Sequence, residues 1–313
     1  MTSGSGQRHD GGIPSFAAAI LAHWQGMPRE AWEHFTDVGQ AGGRDAAYVA
    51  LARALQVAPA VASGDSRLVD EAERGLRLLP EAAVGGLPFE WYLVVSRALI
   101  ALSRGEVDQA VALMEKVPCD CVLPSVNFHR SVVCLRAGRD AEAGAALRRL
   151  RPLAQQPSYL RVGALLVNAV LQSRAGADAT AHRLLESALA VAEPHGIIQP
   201  FLDVNIDSRR LLVHHAAQGT RYTGFLAARI ADWEQSDSSG LGLRLSPRER
   251  EVLGYLRGTM STVEIAAALG ISVNTLKTHR RLLYRKLGVT SRKEAVSWTG
   301  LGPSLRGSVS VED

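Results

Sequence analysis

Residues 261–296 read STVEIAAALGISVNTLKTHRRLLYRKLGVTSRKEAV, and the order of stops and starts in this stretch decides the fold of the C-terminal quarter. Ser261 followed by Glu264 is a capping box, in which each side chain satisfies a backbone N–H that the first helical turn leaves open. The helix so opened runs Thr262 to Leu269 and ends at Gly270, where a left-handed residue costs little. Ile271 plugs the corner and Ser272 opens the next helix at once. Helix, short glycine turn and second helix make a helix-turn-helix. Ser246-Pro247-Arg248-Glu249 upstream and Ser291 with Glu294 downstream repeat the Ser-x-x-Glu device, so four helix starts crowd into some 50 residues.

The helix after Ser272 sorts its residues by face. Leu276, Leu283 and Leu287, flanked by Val273 and His279, share one side at about 100° per residue. Asn274, Thr278, Arg281 and Arg285 fall opposite, with Lys277 and Arg280 on the flanks and Thr275 in the first turn. Asparagine pairs with adenine edges and arginine with guanine edges in a major groove, so this helix is predicted to read double-stranded DNA. The competing reading of such a face alone is a solvated basic surface; the preceding turn and the charge around it favour DNA. Between Glu264 and Glu294 there is no acidic residue, while Lys277, Arg280, Arg281, Arg285, Lys286, Arg292 and Lys293 are all cationic. Residues 241–313 hold twelve Lys+Arg against six Asp+Glu, whereas the preceding 240 hold 23 against 25. The basicity belongs to the final domain, and a field of that sign suits a polyanion.

Upstream, a self-similar pattern appears when the turn glycines Gly26, Gly105, Gly138 and Gly176 are aligned. Seven residues earlier stand Ala19, Ala98, Ser131 and Ala169; five later stand Ala31, Ala110, Ala143 and Ala181. Phe35, Met114, Leu147 and Leu185 follow four further on, then Val38, Val117, Leu150 and Ala188 after three more. Small residues let two helices approach and the bulky ones fill the groove between them. The pattern predicts helix pairs joined by glycine turns, a looser pair around Gly64 making five. Spacings of 33 and 38 residues match a tetratricopeptide-like array, the alternative being an ordinary helical bundle. Hydrophobic residues make up 47% of the chain and aromatic ones only 5%, which draws the core from Ala, Leu and Val and favours helices. The expected architecture is all-α: a tail over 1–13, helical repeats over 14–233, a Ser/Gly-rich linker over 234–243, a four-helix domain over 244–300 and a tail over 301–313.

Other chemistry finds little footing. The longest apolar stretches, such as Gly163 to Leu171, fall short of the ~20 residues that span a bilayer, so no membrane association and a cytoplasmic location are expected. Cys119, Cys121 and Cys134 are an odd number; with His129 they could be drawn as a metal site, but Cys-x-Cys is not the usual zinc knuckle and Cys134 sits at a helical core position. No catalytic motif, metal site or cofactor is predicted. His214 and His215, adjacent on a helix, point apart.

LSPREREVL (Leu245 to Leu253), SxxEIAxxLGIS (Ser261 to Ser272), NTLKTH (Asn274 to His279), YRKLGV (Tyr284 to Val289) and SRKEAV (Ser291 to Val296) together resemble the LuxR-type helix-turn-helix of bacterial transcriptional regulators. One departure is Thr262-Val263, where an Asn and a basic or small residue are common. The resemblance implies a third helix that reads DNA and dimerisation on DNA through the last, Ser291 to Trp298, where Ala295 and Val296 are expected to form a small apolar two-fold contact. The array with its junction AEPHGIIQPFLD further resembles the C-terminal part of MalT-like large regulators. Those carry a nucleotide-binding domain ahead of their repeats, whereas none of this chain's four lysines follows a glycine as a phosphate-binding loop requires. The chain is thus expected to be a fragment or a short regulator. Its function is expected to be sequence-specific DNA binding, with a protein or small-molecule effector at the repeats; the alternative is a helical-repeat interaction scaffold whose terminal domain binds DNA non-specifically or is vestigial.

Overall fold

The computed structural model describes residues 12–40, 46–79, 90–118, 120–150, 152–203, 206–238, 247–258, 260–287 and 291–297. Residues 1–11 of the tail expected over 1–13, the tail at 301–313, the cap at Ser246, Cys119 and linker residues 239–243 lie outside them, while Gly12 and Ile13, expected in the tail, open the first helix. No strand occurs among the described residues. The protein is all-α.

Five helix pairs form the larger part: α1 (Gly12–Trp24) with α2 (Pro28–Gln40), α3 (Ala46–Ser63) with α4 (Ser66–Arg77), and α5 (Glu90–Ser103) with α6 (Val107–Glu115). They continue with α7 (Pro124–Ala137) against α8 (Asp140–Arg148) and α9 (Ser158–Arg174) against α10 (Asp178–His195). Gly26, Gly64, Gly105, Gly138 and Gly176 connect them, each with a positive φ between 65° and 79°. A side chain would strain that conformation, and it is what reverses the chain within two or three residues.

Every position picked out by the glycine alignment is buried, none more than 8% exposed. The alanines sit at zero or nearly zero exposure in the crossings, and Phe35, Met114, Leu147 and Leu185 fill the grooves. Around Gly64 the equivalent apolar sites are Val57, Val69 and Leu76, but Glu73 takes the groove position and instead pairs with Arg104 of the next unit at 2.8 Å. That exchange is why the second pair reads as the loosest. Close approach also decides Gly163, where a Cβ would fall 2.5 Å from the Phe128 ring. Helix α3 is long and apolar enough to cross a membrane by length and composition. It is packed instead between α2, α4 and α5, with Gln56 buried and bonded to Thr36 Oγ1 at 2.8 Å.

Beyond the pairs, α10 carries Pro194 in its last turn and closes at Gly196. A short α11 (Gln199–Leu202), α12 (Ile206–Gln218) and α13 (Thr223–Ser238) then cover the end of the array. Phe201, Leu212 and Leu226 from these three helices are fully buried in one cluster with Leu185 and Leu189. Helix α13 runs five residues into the segment expected as linker from 234. The final unit comprises α14 (Pro247–Arg257), α15 (Thr262–Ala268), α16 (Val273–Leu287) and α17 (Arg292–Ser297), around its own core of Val252, Leu256, Ile265, Leu276, Leu283 and Ala295.

Three buried or half-buried histidines make the array acid-sensitive. Burial lowers His23 to about 4, with His129 adding repulsion. His129 is lowered by burial, and His215 by burial and by His182, whose Nδ1 lies 2.6 Å from its own. His214 points elsewhere, to Gln218. An unfolded chain protonates these imidazoles near 6.5, the folded one only at lower pH, so their stabilising contribution is full above 6.5 and is lost as pH falls toward 4. Asp203 opposes them: burial raises it to about 6, which penalises the fold above pH 6 and relieves that penalty on acidification. The His23 and Asp203 shifts are of similar size and oppose one another, so His129 and His215 set the expected direction. A thermal melt should fall in Tm between pH 7 and 5, and His23→Gln should remove at most about 3 kcal/mol of that dependence. A pH-independent Tm would mean these imidazoles are solvated.

Candidate nucleic-acid interface

Helix α15 begins with the predicted capping box: Ser261 Oγ accepts from the Glu264 amide at 3.3 Å, and the Glu264 carboxylate from the Ser261 amide at 2.7 Å. Hydrogen bonds from the Ser261 amide and then from its hydroxyl hold the Glu264 carboxyl below its usual range. Gly270, at φ 64°, reverses the chain, and Ser272 Oγ accepts from the Thr275 amide at 3.0 Å to open α16. Leu276, Leu283 and Leu287 hold α16 on the core, all at 3% exposure or less. Ser291 Oγ caps α17 by accepting from the Glu294 amide at 3.2 Å.

The predicted face separates into exposed and half-buried groups. Asn274, Lys277 and Arg281 are exposed on one side of α16. Thr275 is half-buried against the Ser272 cap, and Thr278 Oγ1 donates back to the Asn274 carbonyl at 3.2 Å. Arg280 is half-buried; it donates to Thr262 Oγ1 at 3.3 Å and lies 6.0 Å over the Tyr284 ring. The departure at Thr262-Val263 therefore has a structural content: Thr262 receives Arg280, while Val263 stands 65% exposed. Arg285 lies in α16, and its side chain is outside the described residues.

Arg292 has a role its sequence context did not reveal. Its guanidinium donates to the carbonyls of Leu256, Met260 and Gly258 at 2.9, 2.9 and 2.7 Å, tying α17 to the end of α14. Main-chain carbonyls carry no sequence signature, so only the position after capping Ser291 hinted at it. A correction concerns the last helix. Ala295 is 0% exposed and belongs to the domain core, so it cannot form a two-fold contact; Val296, at 38%, is the exposed apolar residue there. Trp298 lies outside the described residues.

The array approaches this face. Arg281 Nη2 lies 3.4 Å from the Ala137 carbonyl, α12 packs on α16, and Thr275, His279 and Ile271 share a cleft of about 360 Å³ with Glu106, Val107, Asp108 and Gln109.

A capped helix-turn-helix with a basic, polar outer face is a DNA-binding design. Comparison with known proteins gives its class: residues 243–299 match the family described as bacterial regulatory proteins, luxR family. The C-terminal unit is a luxR-family helix-turn-helix domain. The chain is 27% identical over 161 residues to the HTH-type transcriptional regulator MalT of Klebsiella pneumoniae (strain 342), covering 51% of this chain and 16% of that protein. It is 32% identical over 160 residues to MalT of Vibrio cholerae, covering 42% and 17%. The CsgBAC operon transcriptional regulatory protein of Escherichia coli (strain K12) is 50% identical over 54 residues, 17% of this chain and 25% of that protein. The chain thus spans about a sixth of the MalT proteins it matches, over a segment longer than the helix-turn-helix domain. No solved structure matches it.

Proposed function

We propose that this chain is a sequence-specific transcriptional regulator in which α16 reads the major groove and the helical array, of tetratricopeptide type, receives an effector. The observation that carries the reading is the exposure of Asn274, Lys277 and Arg281 on a helix whose opposite face is locked by three buried leucines. The proposed DNA-contacting set is Asn274, Lys277 and Arg281, with Thr275, Thr278 and Arg285 alongside and Arg280 positioning the helix through Thr262. Selection of oligonucleotides by the purified chain, followed by binding across a salt series, tests it. Lys277→Ala and Arg281→Ala should each cost about 1–3 kcal/mol of specific binding and relax preference at one base position. Equal loss on all sequences would make the residue a phosphate contact; no sequence preference in the parent chain would leave the scaffold reading.

The proximity of the array supplies a route for regulation within this reading. Helix α16 cannot lie against Glu106–Gln109 and in a groove at the same time, so DNA competes with the array for it. Asp108→Lys places a cation opposite this basic helix and should tighten DNA binding of the full chain a few-fold, the scale of exposed charge pairs at about 0.2–1 kcal/mol. Unchanged affinity would remove the competition.

A further inference from the structure

Helix α12 is fastened to α10 by a chain of polar groups that the DNA-reading face does not use. His215, 1% exposed, lies one turn beyond Leu212, which is buried in one cluster with Leu185 and Leu189 of α10. Its Nδ1 stands 2.6 Å from His182 Nδ1, and its Nε2 3.0 Å from Glu186 Oε1. The two imidazole rings lie 4.0 Å apart at 51°. His182 and Glu186 are one turn apart on α10, so both contacts bear on the same seam. Helix α12 also packs on α16.

The hydrogens of this chain follow from its acceptors. A carboxylate only accepts, so His215 Nε2 carries a hydrogen toward Glu186. The two Nδ1 atoms share a single hydrogen, and with both rings neutral it sits on His182 Nδ1 and is donated to the bare His215 Nδ1. A first added proton can rest on the half-buried His182 ring without disturbing either bond. A second has no place: with both rings charged, each Nδ1 carries a hydrogen and the two point at one another across the 2.6 Å gap. The arrangement tolerates one imidazolium and excludes two.

Its surroundings bear on the same proton. Glu186 favours a charged His215, though its other carboxylate oxygen lies 4.0 Å from Arg221 Nε. Burial first, then His182 and His214, oppose that charge and hold His215 below its ordinary value. Further cations stand on α12 itself, Arg209 and Arg210, and on the other helices packed against it: Arg161 and Arg174 of α9, Arg229 of α13, and Lys277, Arg280 and Arg281 of α16, beside His279. Arg174 is paired with Asp140, Arg229 lies over the Phe225 ring and Arg280 bonds to Thr262. The stabilising contribution of a neutral His215 is therefore full above about pH 6.5 and is lost as pH falls through its lowered folded value.

We propose that the His182–His215 pair is a proton-operated catch: the second proton it takes up separates the rings and frees α12 from α10, and with α12 the packing that holds α16 beside the array. As a switch on DNA binding it rests on the regulatory reading above; as a catch on α12 it does not, because the release is measured without DNA. The experiment is amide hydrogen exchange of the full chain at about pH 7.5 and about pH 5.5, corrected for the intrinsic exchange rate, in the parent and in His182→Asn. An asparagine amide can turn either its N–H or its carbonyl to His215, so it accommodates both protonation states. The parent should lose protection across α12 on acidification while α9 keeps its own; His182→Asn, with unchanged helical circular dichroism, should keep α12 protected at both pH values. In the parent alone, imidazole nitrogen resonances should show the hydrogen shared by the two Nδ1 atoms vanishing over the same pH range as the protection, which keeps the test open should the variant misfold. Protection of α12 that does not change with pH, an equal loss in a folded His182→Asn chain, or a shared hydrogen that persists after α12 has opened would each overturn the proposal. DNA affinity of the same two chains tests the regulatory reading separately: the parent should tighten several-fold more than the variant on acidification, since a fully linked proton shifts an equilibrium by up to about tenfold per pH unit.

Discussion

Leu283→Ala is expected to unfold the helix-turn-helix domain while leaving the array intact. Leu283 is fully buried in the second half of α16 and shares its core with Val252, Leu256, Ile265, Leu276, Leu287 and Ala295. Truncating a buried leucine costs about 2.7–5 kcal/mol, depending on how far the cavity closes. A core of this size, in a unit of well under 80 residues, supplies only about 3–5 kcal/mol in total. The whole stability of the domain therefore hangs on the one side chain, although Ser261, Ser272 and Ser291 each keep their caps. Circular dichroism should show loss of part of the helical signal at 25 °C with the main transition retained, and DNA binding should vanish. A single unshifted transition with full helicity would mean that the array lends the domain stability through α12 and the cleft beside α16.

The helix pairs were legible because their signal is steric and periodic. A left-handed turn admits glycine, a close crossing admits alanine, and the groove beyond admits a large apolar side chain; all three recur at fixed offsets, and the aligned positions flanking the glycines are buried. Where chemistry substituted for packing the pattern faded, as at Glu73, whose partner Arg104 lies in the next unit. The end of α13 was misread for a related reason. The residues Glu234 to Ser238 carry no apolar anchor, yet the helix already propagating from Thr223 continues through them, each added residue closing a hydrogen bond without a new nucleation cost.

At the candidate interface, the caps and the leucine face could be read directly, since both depend on residue type at helical spacing. The division of the polar face could not. Arg280 and Arg281 are adjacent and chemically identical, but Arg280 is half-buried and reaches Thr262 of α15 and Tyr284 of its own helix, whereas Arg281 is exposed and reaches the Ala137 carbonyl of the array. That difference arises from which neighbour the fold supplies. The same holds for Arg292, which joins the basic stretch in sequence and ends on three carbonyls. Summed charge thus located the domain, while side-chain partners decide which cations remain available to a polyanion.

Val296→Glu should lower affinity for a paired operator by on the order of 100-fold while changing binding to a single half-site little. A reader of this size buries roughly 600–1,000 Å² on DNA, at the low end for specific recognition, so two copies on adjacent half-sites are the expected arrangement. Helix α17 is the proposed contact, and Val296 is its exposed apolar residue. A two-fold axis brings each copy's patch against the other's, so the variant sets like charges face to face. Ala295→Glu would be a poor substitute: that residue is fully buried, and a carboxylate there would unfold the domain and abolish half-site binding as well. The ratio of paired to single-site affinity therefore separates the two variants. An equal effect of Val296→Glu on both operators would show that the protein binds as a monomer or pairs elsewhere, with the array as the remaining surface.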